Sequence, residues 1–149
     1  MTRNYDFERF VTAQNPVYET VLAELASGHK TSHWMWYVFP QLLGLGHSQQ
    51  SQFYGIVGKA EATAYLAHPV LNARLIECTA LAMQHAANGA TQLFGPVDEL
   101  KFQSSMSLFS RVKGSDPIFR RALDVFYGGV GDTATLKVLK LEFIASLDE

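Results

Sequence analysis

Cysteine is nearly missing: Cys78 stands alone among 149 residues, so no internal disulfide can close. A reducing, cytoplasmic setting is therefore expected. An excess of one charge is missing too. Twelve Lys and Arg against 14 Asp and Glu leave a formal net charge of −2. That balance gives no electrostatic footprint for a phosphate backbone, and charge-driven nucleic-acid binding is not expected. No uninterrupted apolar run reaches the roughly 18 residues of a membrane helix, and the start from Met1 to Asp6 has no signal-peptide core. With no repeat, low-complexity tract or linker, one domain over residues 1–149 is expected.

Apolar residues are plentiful at 48%, and ten Phe, six Tyr and two Trp make the expected interior aromatic. A chain of this length buries roughly 70% of the surface its unfolded form exposes. The patterning is helical along most of the chain and changes between Thr31 and Gly46. Phe7, Phe10 and Val11 recur at helical spacing behind Asp6, a candidate cap. Asn15-Pro16 opens a second helix with Val17, Val21, Leu22 and Leu25 inside and Gly28 at its end. In the nearly continuous apolar run from Ser32 to Phe39, periodicity does not separate a buried strand from a short helix; the surrounding helices favour a short helix stopped by Pro40, followed by a packed loop from Gln41 to Gly46. Ser48, Ser51 and Tyr54 suit a capped helical turn.

Further helices are expected from Lys59 to Ala67 and from Pro69 to about Asn88. Others run from an Asp98 cap to about Val112, after Asp116-Pro117, and after Asp132 with Leu136, Leu139, Phe143 and Leu147 inward. The fold class is all-α: about seven helices, several short, around an aromatic-rich core.

Several side chains carry chemistry. In the run from Lys30 to Gln41, Trp34 and Trp36 can stack on a planar ligand, His33 can shuttle a proton, and Lys30 can hold an anion. The same run is equally the pattern of a buried aromatic helix. His29 and His33 lie four apart, but no H-E-x-x-H pattern is present, so no metal is assigned. Gly28-His29-Lys30-Thr31 lacks the glycines of a phosphate loop. Lys101, Ser104 and Ser105 share one helical face, where a lysine beside hydroxyls suits an anion; a solvated face, or serines at a close helix crossing, is the plainer reading. Glu61 can act as an acid or base if buried beside Lys30 or Lys101. Cys78 reads as core.

The run Ser32-His33-Trp34-Met35-Trp36-Tyr37-Val38-Phe39-Pro40-Gln41, followed by Gly44-Leu45-Gly46, resembles a bacterial and fungal family of unknown function. Ser48-x-x-Ser51-x-x-Tyr54-Gly55-Ile56, Glu61-Ala62 with Tyr65-Leu66 and His68-Pro69, Phe94-Gly95-x-x-Asp98-x-x-Lys101 and Ser104-Ser105-Met106 are similar as well. Members are often labelled calpastatin-like. The resemblance spans nearly the whole chain and implies a small all-α fold, but no established activity, catalytic residue or cofactor. Asn72 and Phe102 depart from the pattern, which has Gly and Leu there.

Two functions compete. One is a small enzyme or ligand-binding domain with His33 and Glu61 as the catalytic pair and Lys30, Trp34, Trp36, Gln41, Tyr54, Lys101 and Ser105 binding the ligand. Lysines beside rings suit a nucleotide-like or phosphorylated compound, and a likeness to proteins acting on ADP-ribose conjugates points to N-glycoside hydrolysis. The other is an interaction module with an exposed aromatic patch. No cofactor is expected, and the association state is expected to be monomer or weak dimer.

Overall fold

A computed structural model describes residues 5–147. Among these residues every extended element is helical: nine α-helices and one short 3-10 turn, against an expectation of about seven helices. The α1 helix (Glu8–Gln14) starts without the expected Asp6 cap, since Phe7 holds the cap position with no side-chain bond. The α2 helix (Tyr18–Ser27) ends at Gly28, whose φ of 81° lets the chain turn back. A Cβ there would come within 2.7 Å of the His85 ring, so Gly28 is required for packing as well as for the turn.

The apolar run does form a short helix, α3 (Met35–Val38), which stops before Pro40. Ser48 caps α4 (Gln49–Phe53) by accepting the Ser51 N–H. Two short segments are tied by a single parallel bridge between Leu42 and Ile56. The α5 helix (Gly58–Ala67) gives way at His68, whose Nδ1 caps α6 (Pro69–Met83) from Leu71 N–H. That helix ends earlier than its apolar pattern indicates, and a 3-10 turn over Ala86–Asn88 follows.

The centre of the molecule is α7 (Ala90–Ser110). It is broken at Gly95, with φ 88° and ψ 165°, and Pro96 restarts it. Asp98 therefore sits in the first turn of the restarted helix instead of at its cap, where a carboxylate is favoured by the helix dipole. The chain finishes with α8 (Ile118–Tyr127) and α9 (Thr133–Ser146), the latter capped by Asp132. Helices α5, α8 and α9 pack on α7, while α2 and α8 pack on α6.

The core is aromatic, as expected. Phe102, fully buried on α7, meets Phe39 edge-on at 4.9 Å, Phe94 at 4.6 Å and Phe126 at 5.6 Å. A second cluster joins Phe10, Tyr65 and Phe109, with centroids 5.2 Å apart in both pairs. The expectation for α9 fails at its far end. Leu136 and Leu139 are half-buried, but Phe143 is 64% and Leu147 67% exposed. This helix is apolar on several faces, so its composition does not define an inner one. Among the described residues no helix is long and apolar enough to cross a membrane.

Candidate functional site

One carboxylate organises the segment that carries the conspicuous motif. Glu24, on α2, accepts hydrogen bonds from Thr31 N–H (2.9 Å), Ser32 N–H (3.0 Å), the Ser32 hydroxyl (2.5 Å) and the Trp34 indole N–H (2.9 Å). Burial alone would raise its pKa. The donors from Ser32, Thr31 and Trp34 outweigh burial and hold the carboxyl at about 2. The loop from His29 to Trp34 is thus wrapped around a fixed negative charge. This places Trp34, 1% exposed, as a core ring whose one polar atom is satisfied.

A second carboxylate ties that loop to the central helix. Asp98 receives Lys30 Nζ at 2.6 Å and Lys101 Nζ at 3.3 Å. Lys30 also donates to Ser32 O at 2.6 Å and lies 4.9 Å from the Trp34 ring centroid. Its side chain is only 6% exposed. Lys101 is the freer of the two, at 22%, and its ammonium sits 4.3 Å from the Trp36 ring centroid.

Beside Lys101 opens a cavity of about 470 Å3. Trp36 on α3, Gln41 and His47 in the following loop, Lys101 and Ser104 on α7 and Asp132 before α9 contribute its polar wall. Leu45, Val97, Leu100 and Ala134 form the apolar part. Much of the polar wall is already engaged. Ser51 Oγ donates to Ser48 O, Ser104 Oγ to Leu100 O, and Asp132 accepts from Thr135. The side chains left without a hydrogen bond among the described residues are Trp36, Gln41 and His47. With Lys101, they leave the cavity rich in potential donors.

Of the residues expected to form one site, Trp36, Gln41 and Lys101 meet here, and Lys30 stands behind them through Asp98. His33 is exposed and does not line the cavity. Because Gly28 ends α2, His29 and His33 lie on a loop instead of one helical face.

Glu61 is the plainest correction. Its carboxylate is buried against Arg9 at 3.2 Å and the Val57 N–H at 2.7 Å, so Arg9, not Lys30 or Lys101, balances its charge. Arg9 also donates to the carbonyls of Asp6, Phe53 and Gly55. Tyr54 packs beside this second cluster, against Phe10 and Tyr37. Ser105 is fully buried, and its hydroxyl finds no partner among the described residues.

The sequence marks Asp98 only as a cap, and no local pattern singles out Glu24, Arg9 or His47. The three-residue step from Asp98 to Lys101 was a legible signal for an ion pair on one helix face. The partnership of Asp98 with Lys30 depends on tertiary placement across 68 positions and had no local signal.

A family model described as a protein of unknown function (DUF1810) matches residues 4–139. The chain belongs to this family. It is also similar to the crystal structure of the conserved hypothetical protein Rv1873 from Mycobacterium tuberculosis. The two are 47% identical, with a TM-score of 0.89 over 91% of this chain and 97% of the other. No curated protein matches. DUF1810 membership agrees with the expected family of unknown function, but neither comparison carries a calpastatin-like description.

Proposed function

We propose that the cavity between α3, the loop after it, α7 and the start of α9 binds a small organic anion with a planar, nucleotide-like part. The observation that carries this reading is the imbalance of its polar groups. Asp98 and Asp132 are occupied by protein donors, whereas Lys101, Trp36, Gln41 and His47 can offer donors to a ligand. An acceptor-rich ligand complements such a wall, and the cavity volume of about 470 Å3 lies in the range of small-molecule sites. Trp36 supplies an aromatic surface for a planar ring.

Hydrolysis of an ADP-ribose-type N-glycosidic bond is the finer form of this proposal. It needs a carboxylate free to act as acid or base. Glu61 is held by Arg9, and Asp98 by two lysines, so binding without turnover is the reading these contacts favour. The interaction-module alternative needs exposed rings in the motif. Trp34 is buried, and Trp36 and Tyr37 are half-buried, which favours the ligand site instead. The described residues form packed helices, unlike the long disordered repeats that a calpain inhibitor would use.

A thermal-shift series with nucleotides, ADP-ribose and sugar phosphates tests the proposal. A true ligand at 100 times its Kd stabilises by about 2.7 kcal/mol, which for a chain of this size raises Tm by roughly 5–10 °C. Absence of any shift across the series, or an equal shift in Trp36→Ala and Lys101→Met, contradicts it.

A further inference from the structure

A larger cavity, of about 760 Å3, lies away from this site between α5, the end of α7 and α9. Its polar wall brings together Lys59 from the first turn of α5, Arg111 from the end of α7 and Lys140 from α9. Leu136, Leu139 and Phe143 form an apolar floor beside them. The fourth charged group, Glu142, is already committed. Its carboxylate accepts the Lys59 N–H at 3.1 Å and caps the N-terminal end of α5, where the helix dipole favours it. The approach is close enough that a Cβ on Gly58 would come within 2.5 Å of Glu142 Oε1.

Against the single negative charge of Glu142, the three cations still leave the cavity wall with an excess of positive charge. None of them has an ion-pair partner among the described residues. Arg111 also borders a neighbouring polar cavity, where Arg120 is paired with Asp124 and adds no free charge. Clustered cations beside an uncovered apolar floor suit a ligand that is charged at one end and apolar along its body. The family match ends at Leu139, so Lys140, Glu142 and Phe143 lie outside it.

We infer that this cavity is a second ligand site, for an amphiphilic organic anion. Its carboxylate or phosphate head meets Lys59, Arg111 and Lys140, and its alkyl or aryl body lies on Leu136, Leu139 and Phe143. The site does not depend on the nucleotide-like reading of the first cavity.

Calorimetric titration of the full chain with laurate and with dodecyl phosphate, both kept below micelle formation, tests the inference. Saturable one-site binding is expected for at least one of them, and the stronger of the two identifies the head group. Arg111→Ala and Lys140→Ala should each weaken it by about tenfold, the loss of one charge-assisted contact. Phe143→Ser should weaken it while leaving Tm unchanged, because that ring is 64% exposed. Lys101→Met should leave it intact. No saturable binding of either amphiphile overturns the inference, as does binding indifferent to Arg111 and Lys140. Loss of binding in Lys101→Met would assign the probe to the other cavity, and equally tight binding of inorganic phosphate would remove the role of the apolar floor.

Discussion

Replacing Asp98 by Asn keeps the shape of the side chain and removes the charge that two lysines share. Lys30 Nζ lies 2.6 Å and Lys101 Nζ 3.3 Å from its two oxygens. Lys101 can turn to water, but Lys30, at 6% exposure, cannot do so without moving the loop that holds it. Stranding one member of a buried pair costs about 3–5 kcal/mol. Lys30 retains Ser32 O and the face of Trp34, and such a cation–ring contact is worth about 1 kcal/mol, so the net loss should be about 2–4 kcal/mol. At roughly 2–4 °C per kcal/mol for a chain of this size, thermal unfolding followed by circular dichroism should show Tm lowered by about 5–15 °C. Lys101→Met should cost less than about 1 kcal/mol, because a partly exposed lysine on a shared acid contributes little. The double variant Lys30→Met with Asp98→Asn should recover part of the loss, since no buried charge is then stranded. An Asp98→Asn protein as stable as the original would show that Lys30 does not need this carboxylate, and a Lys101→Met protein that loses as much as Asp98→Asn would show that Lys30 is not the stranded charge.

Other outcomes follow from the same contacts. Glu24 has its pKa lowered from 4.5 to about 2, so its contribution is present above pH 4.5 and is lost as pH falls towards 2. Because the group is only partly buried, the effect should be on the order of 1 kcal/mol, and Glu24→Gln should flatten the fall of Tm over that pH interval. Burial pushes the Cys78 thiol up to about 12, so the folded protein should resist alkylation at neutral pH and the urea-unfolded chain should react readily. Phe102→Ala should cost about 3–5 kcal/mol in chemical unfolding, because its ring is fully enclosed. Phe126→Ala should cost clearly less, since that ring is only half-buried at the edge of the same cluster.

Most helices were legible because their boundaries are chemical. Gly28 ends α2, Ser48 and Asp132 cap α4 and α9, and Pro69 opens α6 in the manner their types dictate. Asp6 misled because a capping residue type near a helix start does not guarantee that its side chain reaches a backbone donor. The far end of α9 misled because a helix apolar on several faces gives no single inward stripe, and Phe143 stands in solvent.

The site was legible where rarity and chemistry coincide, at Trp36, Gln41 and Lys101, which come together from separate stretches of chain. It was not legible in its charge partners. Which acid meets which base is decided by packing, and neither Arg9 with Glu61 nor Lys30 with Asp98 is close in sequence. Trp34 shows the same limit from the other side. Its type suits a ligand platform, yet the indole is consumed by Glu24 and the core.

Lys101 and Trp36 make the proposed binding wall of the smaller of the two main cavities. Titration of ADP-ribose and of the nucleotide giving the largest thermal shift, followed through tryptophan fluorescence, probes that wall. Saturable quenching that Trp36→Phe diminishes is expected, with affinity falling by at least about tenfold in Lys101→Met while Tm stays within about 3 °C of the original. Unchanged affinity in Lys101→Met, or no saturable response to any compound of the series, would contradict it.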